Sequence, residues 1–209
     1  MGRERMGDGC RGGGRLTVRD MRLLLLVGEM YGLRTDQIGD EAGTGETRTL
    51  QLNRRYREAG LMESARILHG EAAYHWLTRA GLREVGLPFR SCRPAATLLH
   101  HHYATAVVRR MFEQHPRGEA RWVSERWLRH QKRTAAHVPD GLVQLHGDGS
   151  YQIAIEVELT QKSIERQREI TKDLAAYDEV WLYTAPGVTC KGYEKLNLRT
   201  EEIDLWSRR

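Results

Sequence analysis

The chain has 209 residues, of which 40% are hydrophobic and 29% charged, and its 33 Lys and Arg against 28 Asp and Glu leave a net charge of +5. That length admits one large domain or two small ones. The longest apolar run, Met21 to Val27, is broken by Arg22 and falls far short of the ~20 residues of a membrane span. The Gly- and Arg-rich start, Met1 to Arg15, lacks the apolar centre of a secretory signal and reads as a disordered lead-in. Cys10, Cys92 and Cys190 lie far apart without C-x-x-C spacing, which argues against a disulfide framework and a zinc site and for a reduced, cytoplasmic protein.

Thr17, with Asp20 three residues on, precedes Leu23, Leu24, Val27 and Met30 at helical spacing. This predicts a capped amphipathic helix ending at Gly32. A shorter helix is expected over Asp36 to Ala42, then a turn at Gly43 to Gly45. A third helix from Glu46 to Glu58 has Leu50, Leu52 and Tyr56 as its apolar residues and Arg48, Arg54, Arg55 and Arg57 as polar ones. The order is that of a helix-turn-helix. After Gly60, a strand, a loop at His69 to Glu71 and a second strand running to Thr78 make a wing. The stretches Arg55 to Leu61 and Tyr74 to Gly81 resemble the end of the recognition helix and the wing exit of winged-helix DNA-binding domains. The resemblance covers residues 16–87 and implies double-stranded DNA as the partner. A helix in the major groove would present Arg48, Arg54, Arg55 and Arg57 to bases and phosphates. A winged helix that docks protein instead stays open as an alternative.

Residues 88–94, with Pro88 and Pro94 at their ends, interrupt all periodicity and read as a linker. Ala95 to His115 is expected to be helical. His100, His101 and His102 near its start point in different directions on a helix and cannot chelate one metal together, although one of them could face a cleft. Arg121 to Glu125 reads as a short strand and Arg126 to Arg133 as a basic connection. Eight basic residues against three acids between Arg109 and Arg133 suit a polyanion, which makes Arg126, Arg129, Lys132 and Arg133 further candidate DNA contacts.

A hairpin follows, with Leu142 to Leu145 and Tyr151 to Leu159 as its strands. Alternation puts Ile153, Ile155, Val157 and Leu159 on one face and Ala154, Glu156 and Glu158 on the other. Asp140 stands at the open end of the neighbouring strand. Such a group of acids in a packed sheet calls for a cation: a divalent metal, an Arg or Lys, or water at an edge. A helix from Ser163, an almost wholly apolar strand from Glu179 to Thr184 as expected of a buried parallel strand, a strand-like piece at Glu194 to Leu198, and an anchor from Ile203 to Trp206 complete one α/β layer over residues 95–209.

Pro139 and Asp140 before one strand, with Glu156 and Glu158 on the next, resemble the PD-(D/E)xK nuclease superfamily. The resemblance implies Asp140 and Glu156 as ligands of Mg²⁺ or Mn²⁺, with Glu125 as an additional acid. Glu158 stands where the family has lysine, in a position to orient or deprotonate water, and Lys162, four residues beyond Glu158, could fold back into the site. Hard oxygen ligands are what Mg²⁺ takes, and phosphodiester cleavage uses the metal to polarise phosphate and generate the nucleophile. The two halves together resemble the replication-relaxation proteins of plasmids and integrative elements of Gram-positive bacteria, through Thr17 to Asp20, Gly60 and Leu61, Trp76 to Gly81, Pro139 and Asp140, and Ile155 to Glu158. This implies a two-domain α+β and α/β protein, a winged helix-turn-helix followed by a small PD-(D/E)xK-like domain. It would act in plasmid replication, DNA relaxation or transfer, with a homodimer and replication or transfer proteins as further partners. Two functions remain in play: a metal-dependent endonuclease, and a non-enzymatic regulator whose degenerate nuclease fold serves dimerisation or partner binding, with no cofactor.

Overall fold

The computed structural model describes residues 16–113, 120–132, 137–145 and 149–203. The N-terminal lead-in, Cys10, the turn after Leu145, Arg133 and Trp206 lie outside them. The first elements are α1 (Val18–Glu29), β1 (Leu33–Arg34), α2 (Thr35–Ala42), α3 (Glu46–Glu58), β2 (Met62–Ala65), β3 (Tyr74–Leu77) and α4 (Arg79–Glu84). Strands β1, β3 and β2 form an antiparallel sheet in that order. Three helices with a two-strand wing after the third make a winged helix, as expected from the helix and turn signals.

Local chemistry places each element. Thr17 caps α1 by accepting from Asp20 N at 3.2 Å, while Asp20 Oδ2 accepts from Thr17 N at 2.9 Å, so the expected capping box forms. Gly43 ends α2 in the left-handed region at φ 60, the conformation that glycine adopts without a Cβ penalty. At Gly81 a Cβ would lie 2.0 Å from Leu61 O, so only glycine allows α4 to cross the chain leaving α3. Inner faces of α1, α2 and α3 bury Leu24, Ile38, Leu52 and Tyr56 in one core. Leu50 departs from expectation: it is 51% exposed on the outer face of α3.

The second half begins with a 3-10 turn (Ala96–Leu98) and continues as α5 (Leu99–Glu113), β4 (Arg121–Ser124), α6 (Glu125–Lys132), β5 (Gly141–Leu145), β6 (Tyr151–Glu158), α7 (Ile164–Leu174), β7 (Glu179–Thr184), a 3-10 turn (Lys191–Tyr193) and β8 (Leu198–Glu202). The five strands order as β4-β5-β6-β7-β8. The first three are antiparallel, and β7 and β8 run parallel to β6. Parallel neighbours need a crossover connection; α7 makes it between β6 and β7, and a segment with a 3-10 turn makes it between β7 and β8. Alternation along β6 is as expected: Ile153, Ile155 and Val157 pack with Ala104 and Val108 of α5, and Ala154 packs with Ile170 and Leu174 of α7.

Two expectations need correction. Residues from Arg126 onward form helix α6 instead of a loose basic connection, and the last strand begins at Leu198 after a 3-10 turn, later than the expected Glu194 to Leu198. Residues 88–94 lack regular structure but are docked: Phe89 packs edge-on against Trp127 at 4.9 Å between ring centroids, and Ser91 Oγ donates to Leu77 O at 2.7 Å. Helix α5 serves both cores, with Ala106 in the first and Ala104 and Val108 in the second. Around it, Gln37 Nε2 donates to Tyr103 O at 3.0 Å, Tyr74 OH to Leu99 O at 3.0 Å and Trp127 Nε1 to Glu29 at 2.8 Å.

One buried acid joins the start of α1 to the end of α3. Asp20, 1% exposed, accepts from Tyr56 OH at 2.6 Å and from Arg55 Nη2. Burial raises its pKa, but the hydrogen bonds from Tyr56 and Thr17 and the Arg55 charge outweigh this and hold it at about 2, below the ordinary 3.8. A depressed carboxylate stabilises the fold above its unfolded pKa and loses that contribution as pH falls through the folded value. Urea midpoints of the wild type should therefore fall between about pH 4 and pH 2. Asp20→Asn should be less stable by about 2 kcal/mol at neutral pH and should flatten that part of the profile.

Candidate functional site

A cavity of about 550 Å³ opens where β6 and β7 end, lined by Asp140, Glu156, Glu158 and Lys162, with Glu125 and Arg129 on one wall and His101 and His137 on another. Crevices outside the carboxyl ends of parallel strands are common ligand sites in α/β sheets. Asp140 precedes β5 and accepts from Val157 N on β6 at 2.8 Å through Oδ2. The acidic face of β6 turns Glu156 and Glu158 inward, 1% and 3% exposed. Tertiary structure thus brings together the expected Asp140, Glu156, Glu158, Lys162 and Glu125.

Each acid already has a protein partner. Asp140 Oδ1 lies 2.8 Å from His101 Nε2, Glu156 Oε1 lies 2.8 Å from His137 Nε2, and Glu158 accepts from both Lys162 Nζ and Tyr193 OH, the latter at 2.7 Å. Glu125 pairs with Arg129 at 2.6 Å. Lys162 therefore folds back onto the site, as its position four residues past Glu158 allows. Among the described residues, no group of three or more His, Cys, Asp or Glu side chains converges to hold a metal ion. The donor set as arranged does not fit the divalent ion that the nuclease resemblance implies, because its carboxylates are spent on imidazolium, ammonium and phenol.

Burial and pairing set the protonation states. Burial lowers the pKa of His101, yet the Asp140 charge and hydrogen bond dominate and raise it to about 9. Burial raises Asp140, and His101 together with the Val157 amide more than reverses this, so its pKa falls. Glu156 is pushed well above the usual range by burial and by the Asp140 charge, and burial lowers His137. One proton then suffices for the Glu156 and His137 pair, a neutral arrangement suited to a dry site. His102, beside them, is lowered to about 4 by burial and by the His101 charge, and stacks on Tyr31 at 5.0 Å.

The histidine partners were absent from the sequence-derived site. The triple histidine was the signal for His101, since one of three consecutive helical positions could face the cleft. His137 lies three residues before Asp140, but no period marked it. Tyr193 comes from the 3-10 turn before β8, which no periodicity in the sequence marks.

The candidate DNA contacts divide. On α3, Arg48, Arg54 and Arg57 are exposed; Arg48 Nη1 donates to Gln51 at 3.2 Å and Arg54 pairs with Glu58 at 2.7 Å. Arg55 keeps about half its side chain in solvent but is committed to Asp20. Arg126 is corrected: it is 9% exposed, donates to Gly28 O and Arg90 O, and lies over the Tyr31 and Phe89 rings at 4.9 and 4.7 Å. It ties α6 to α1 and the connecting segment and presents nothing to DNA. Arg129 is exposed at the cavity rim. The Lys132 side chain and Arg133 lie outside the described residues.

No protein-family model and no curated protein matches the chain. Similar solved structures include Streptococcus pneumoniae FabT in complex with DNA (14% identity, TM-score 0.32, 48% of this chain and 62% of that one). RV1404 from Mycobacterium tuberculosis (16% identity, TM-score 0.31, 50% and 64%) and Lactococcus lactis ZitR (12% identity, TM-score 0.30, 53% and 68%) are similar to the same degree. The chain spans less than two thirds of the length of the first two. TM-scores this low carry no argument about ligand or activity. No helix among the described residues is long and apolar enough to cross a membrane.

Because the folded pKa of His101 is raised, its protonated form stabilises the protein fully below about 6.5, and this is lost as pH rises through about 9. Imidazole ¹⁵N spectra should show His101 still charged at pH 8 and His102 neutral at pH 5. Asp140→Asn should bring the His101 transition below neutrality; an unmoved transition would refute the pairing.

Proposed function

We propose that the protein is a duplex-DNA-binding regulator of the replication-relaxation type, serving a plasmid or integrative element, in which the nuclease-like second unit works without catalysis. The observation that carries this reading is the outer face of α3. Its inner side chains, Leu52 and Tyr56, are locked into the core, while Thr47, Arg48, Gln51, Arg54 and Arg57 are exposed together on a helix that is followed by a wing. Arg and Gln are the side chains that pair bidentately with guanine and adenine edges in a major groove. Strand β2, β3 and the loop between them stand ready to contact the adjacent backbone, where Arg66 is exposed.

The order α5, β4, α6, β5, β6, α7, β7 supports the nuclease-like reading of the second unit, since three consecutive antiparallel strands, here with α6 inserted after the first, then a crossover helix and a parallel strand are what that resemblance implies. Its acids support a regulator over an enzyme, because every one of them is compensated from within the chain. The second reading, a Mg²⁺- or Mn²⁺-dependent endonuclease, is favoured by one observation: Asp140, Glu156 and Glu158 face a common cavity.

Electrophoretic mobility shifts on DNA enriched by selection from random duplexes test the main reading. Arg48→Ala and Arg54→Ala should each cost about 1–3 kcal/mol of binding where they read a base, or reduce the salt slope by about 1 where they hold a phosphate. Binding that is unchanged in the double variant would overturn it. Supercoiled plasmid incubated with the protein and either metal should stay supercoiled; nicking that disappears in Asp140→Ala would establish the enzyme reading in its place.

A further inference from the structure

The five-stranded sheet has an open edge at β8, the last strand in the order, which pairs with β7 on one side and with no described strand on the other. Open edges are templates for pairing with another chain, and proteins commonly blunt them with lysine, proline or a bulge. Strand β8 has none of the three. It reads Leu-Arg-Thr-Glu-Glu, and its pairing with β7 runs through five consecutive residue pairs.

The bonds to β7 fix what this edge presents. Val180 N donates to Asn197 O at 2.9 Å, and Ile203 N donates to Thr184 O at 2.8 Å. In the parallel register that pairs Val180 with Leu198 and Thr184 with Glu202, the backbone groups of Arg199 and Glu201 are thereby turned towards β7. Those of Leu198, Thr200 and Glu202 point away from it, because alternate residues of a strand bond to opposite sides. Arg199, Thr200 and Glu202 are exposed. The side chains of Arg199 and Glu201 share the face of Trp181 and Tyr183, their partners in β7, and the Arg199 guanidinium lies 4.4 Å from the Trp181 ring centroid.

An edge that pairs with its own copy about a two-fold axis pairs antiparallel. Centred on Thr200, such pairing uses all three outward-facing residues: Thr200 meets Thr200 of the second copy, and Leu198 meets Glu202. Arg199 then stands opposite Glu201 of the second copy, twice by symmetry, at the non-hydrogen-bonded positions where side chains come closest. Sliding the register by two residues in either direction sets Arg199 against Arg199, or Glu201 against Glu201, which is destabilising. The order of charges on β8 therefore complements itself in one register. A groove of about 230 Å³, lined by Phe112, Trp181 and Tyr183 among others, runs up to Arg199 and Glu201. In this arrangement the grooves of both copies lie on the same face of the joined sheet and add apolar contact to the backbone bonds.

We propose that the chain forms a two-fold homodimer by antiparallel pairing of β8 with β8 of a second copy, centred on Thr200, which joins the two sheets into one. The dimer stands whether or not the chain binds DNA.

Sedimentation equilibrium on the full chain tests it. The mass should rise from that of one chain to that of two between about 1 and 100 µM. Arg199→Glu sets acid against acid on both sides of the axis and should weaken dimerisation about tenfold or more; Glu201→Arg should do the same. The double variant Arg199→Glu with Glu201→Arg restores opposite charges and should dimerise again. Thr200→Pro removes the N–H on the axis while leaving the bonds to β7 in place, as an edge strand tolerates, and should stay monomeric. Circular dichroism and melting establish that each variant is folded; Thr200→Pro and Arg199→Glu act on backbone and charge separately, so either one, folded, decides. A chain that stays monomeric up to about 200 µM would overturn the proposal. So would a dimer of unchanged affinity in the folded variants, which would place the interface elsewhere, or a double variant that fails to recover what the single ones lose.

Discussion

Helix α5 is the constraint on which the rest of the structure depends, because it is packed on two sides at once. Ala106 belongs to the core of the winged helix, and Ala104 and Val108 belong to the core beneath the five-stranded sheet. Small side chains at these positions let two layers approach one helix closely, and a helix gripped from both sides transmits displacement from either. Hydrogen bonds to its backbone have the same character, from Gln37 to the Tyr103 carbonyl and from Tyr74 to the Leu99 carbonyl, and Arg126 of α6 separately ties to the Gly28 and Arg90 carbonyls. Helix α3 and the acidic cavity thus sit on one continuous framework, with α5 forming a wall of that cavity.

Internal charge compensation is the second organising feature. Asp20 is met by Arg55 and Tyr56, Asp140 by His101, Glu156 by His137 and Glu158 by Lys162. A buried acid left alone would cost several kcal/mol, so each partner is required by the burial that packing imposes. The partners that these acids need come from within the chain: charged His101 from α5 and Lys162 from the turn before α7, and neutral His137, sharing one proton with Glu156, from the segment before β5. This is the physical ground for preferring a regulator.

Much of the fold was legible in the chain. The capping pair Thr17 and Asp20, the glycine turn at Gly43 and the 3.6-residue spacing of the first helix specified the winged helix locally, because each acts within one turn of backbone. Alternation from Ile153 to Glu158 specified which side chains of β6 face α5 and which face α7, and placed Glu156 and Glu158 together. Less was legible wherever burial depended on a distant element. Arg126 looked like one more cation in a basic run, and Leu50 looked like core.

What the sequence determined by itself, therefore, is the set of elements, their order and the grouping of acids on one strand, since these follow from periodicity and from caps a few residues apart. Tertiary structure alone decided that His101 and His137 would answer Asp140 and Glu156, and that Arg126 would be buried between two rings. Those outcomes join residues as many as 98 positions apart, as for Arg126 and Gly28, and no local spacing carries the information about which buried charge will find which partner.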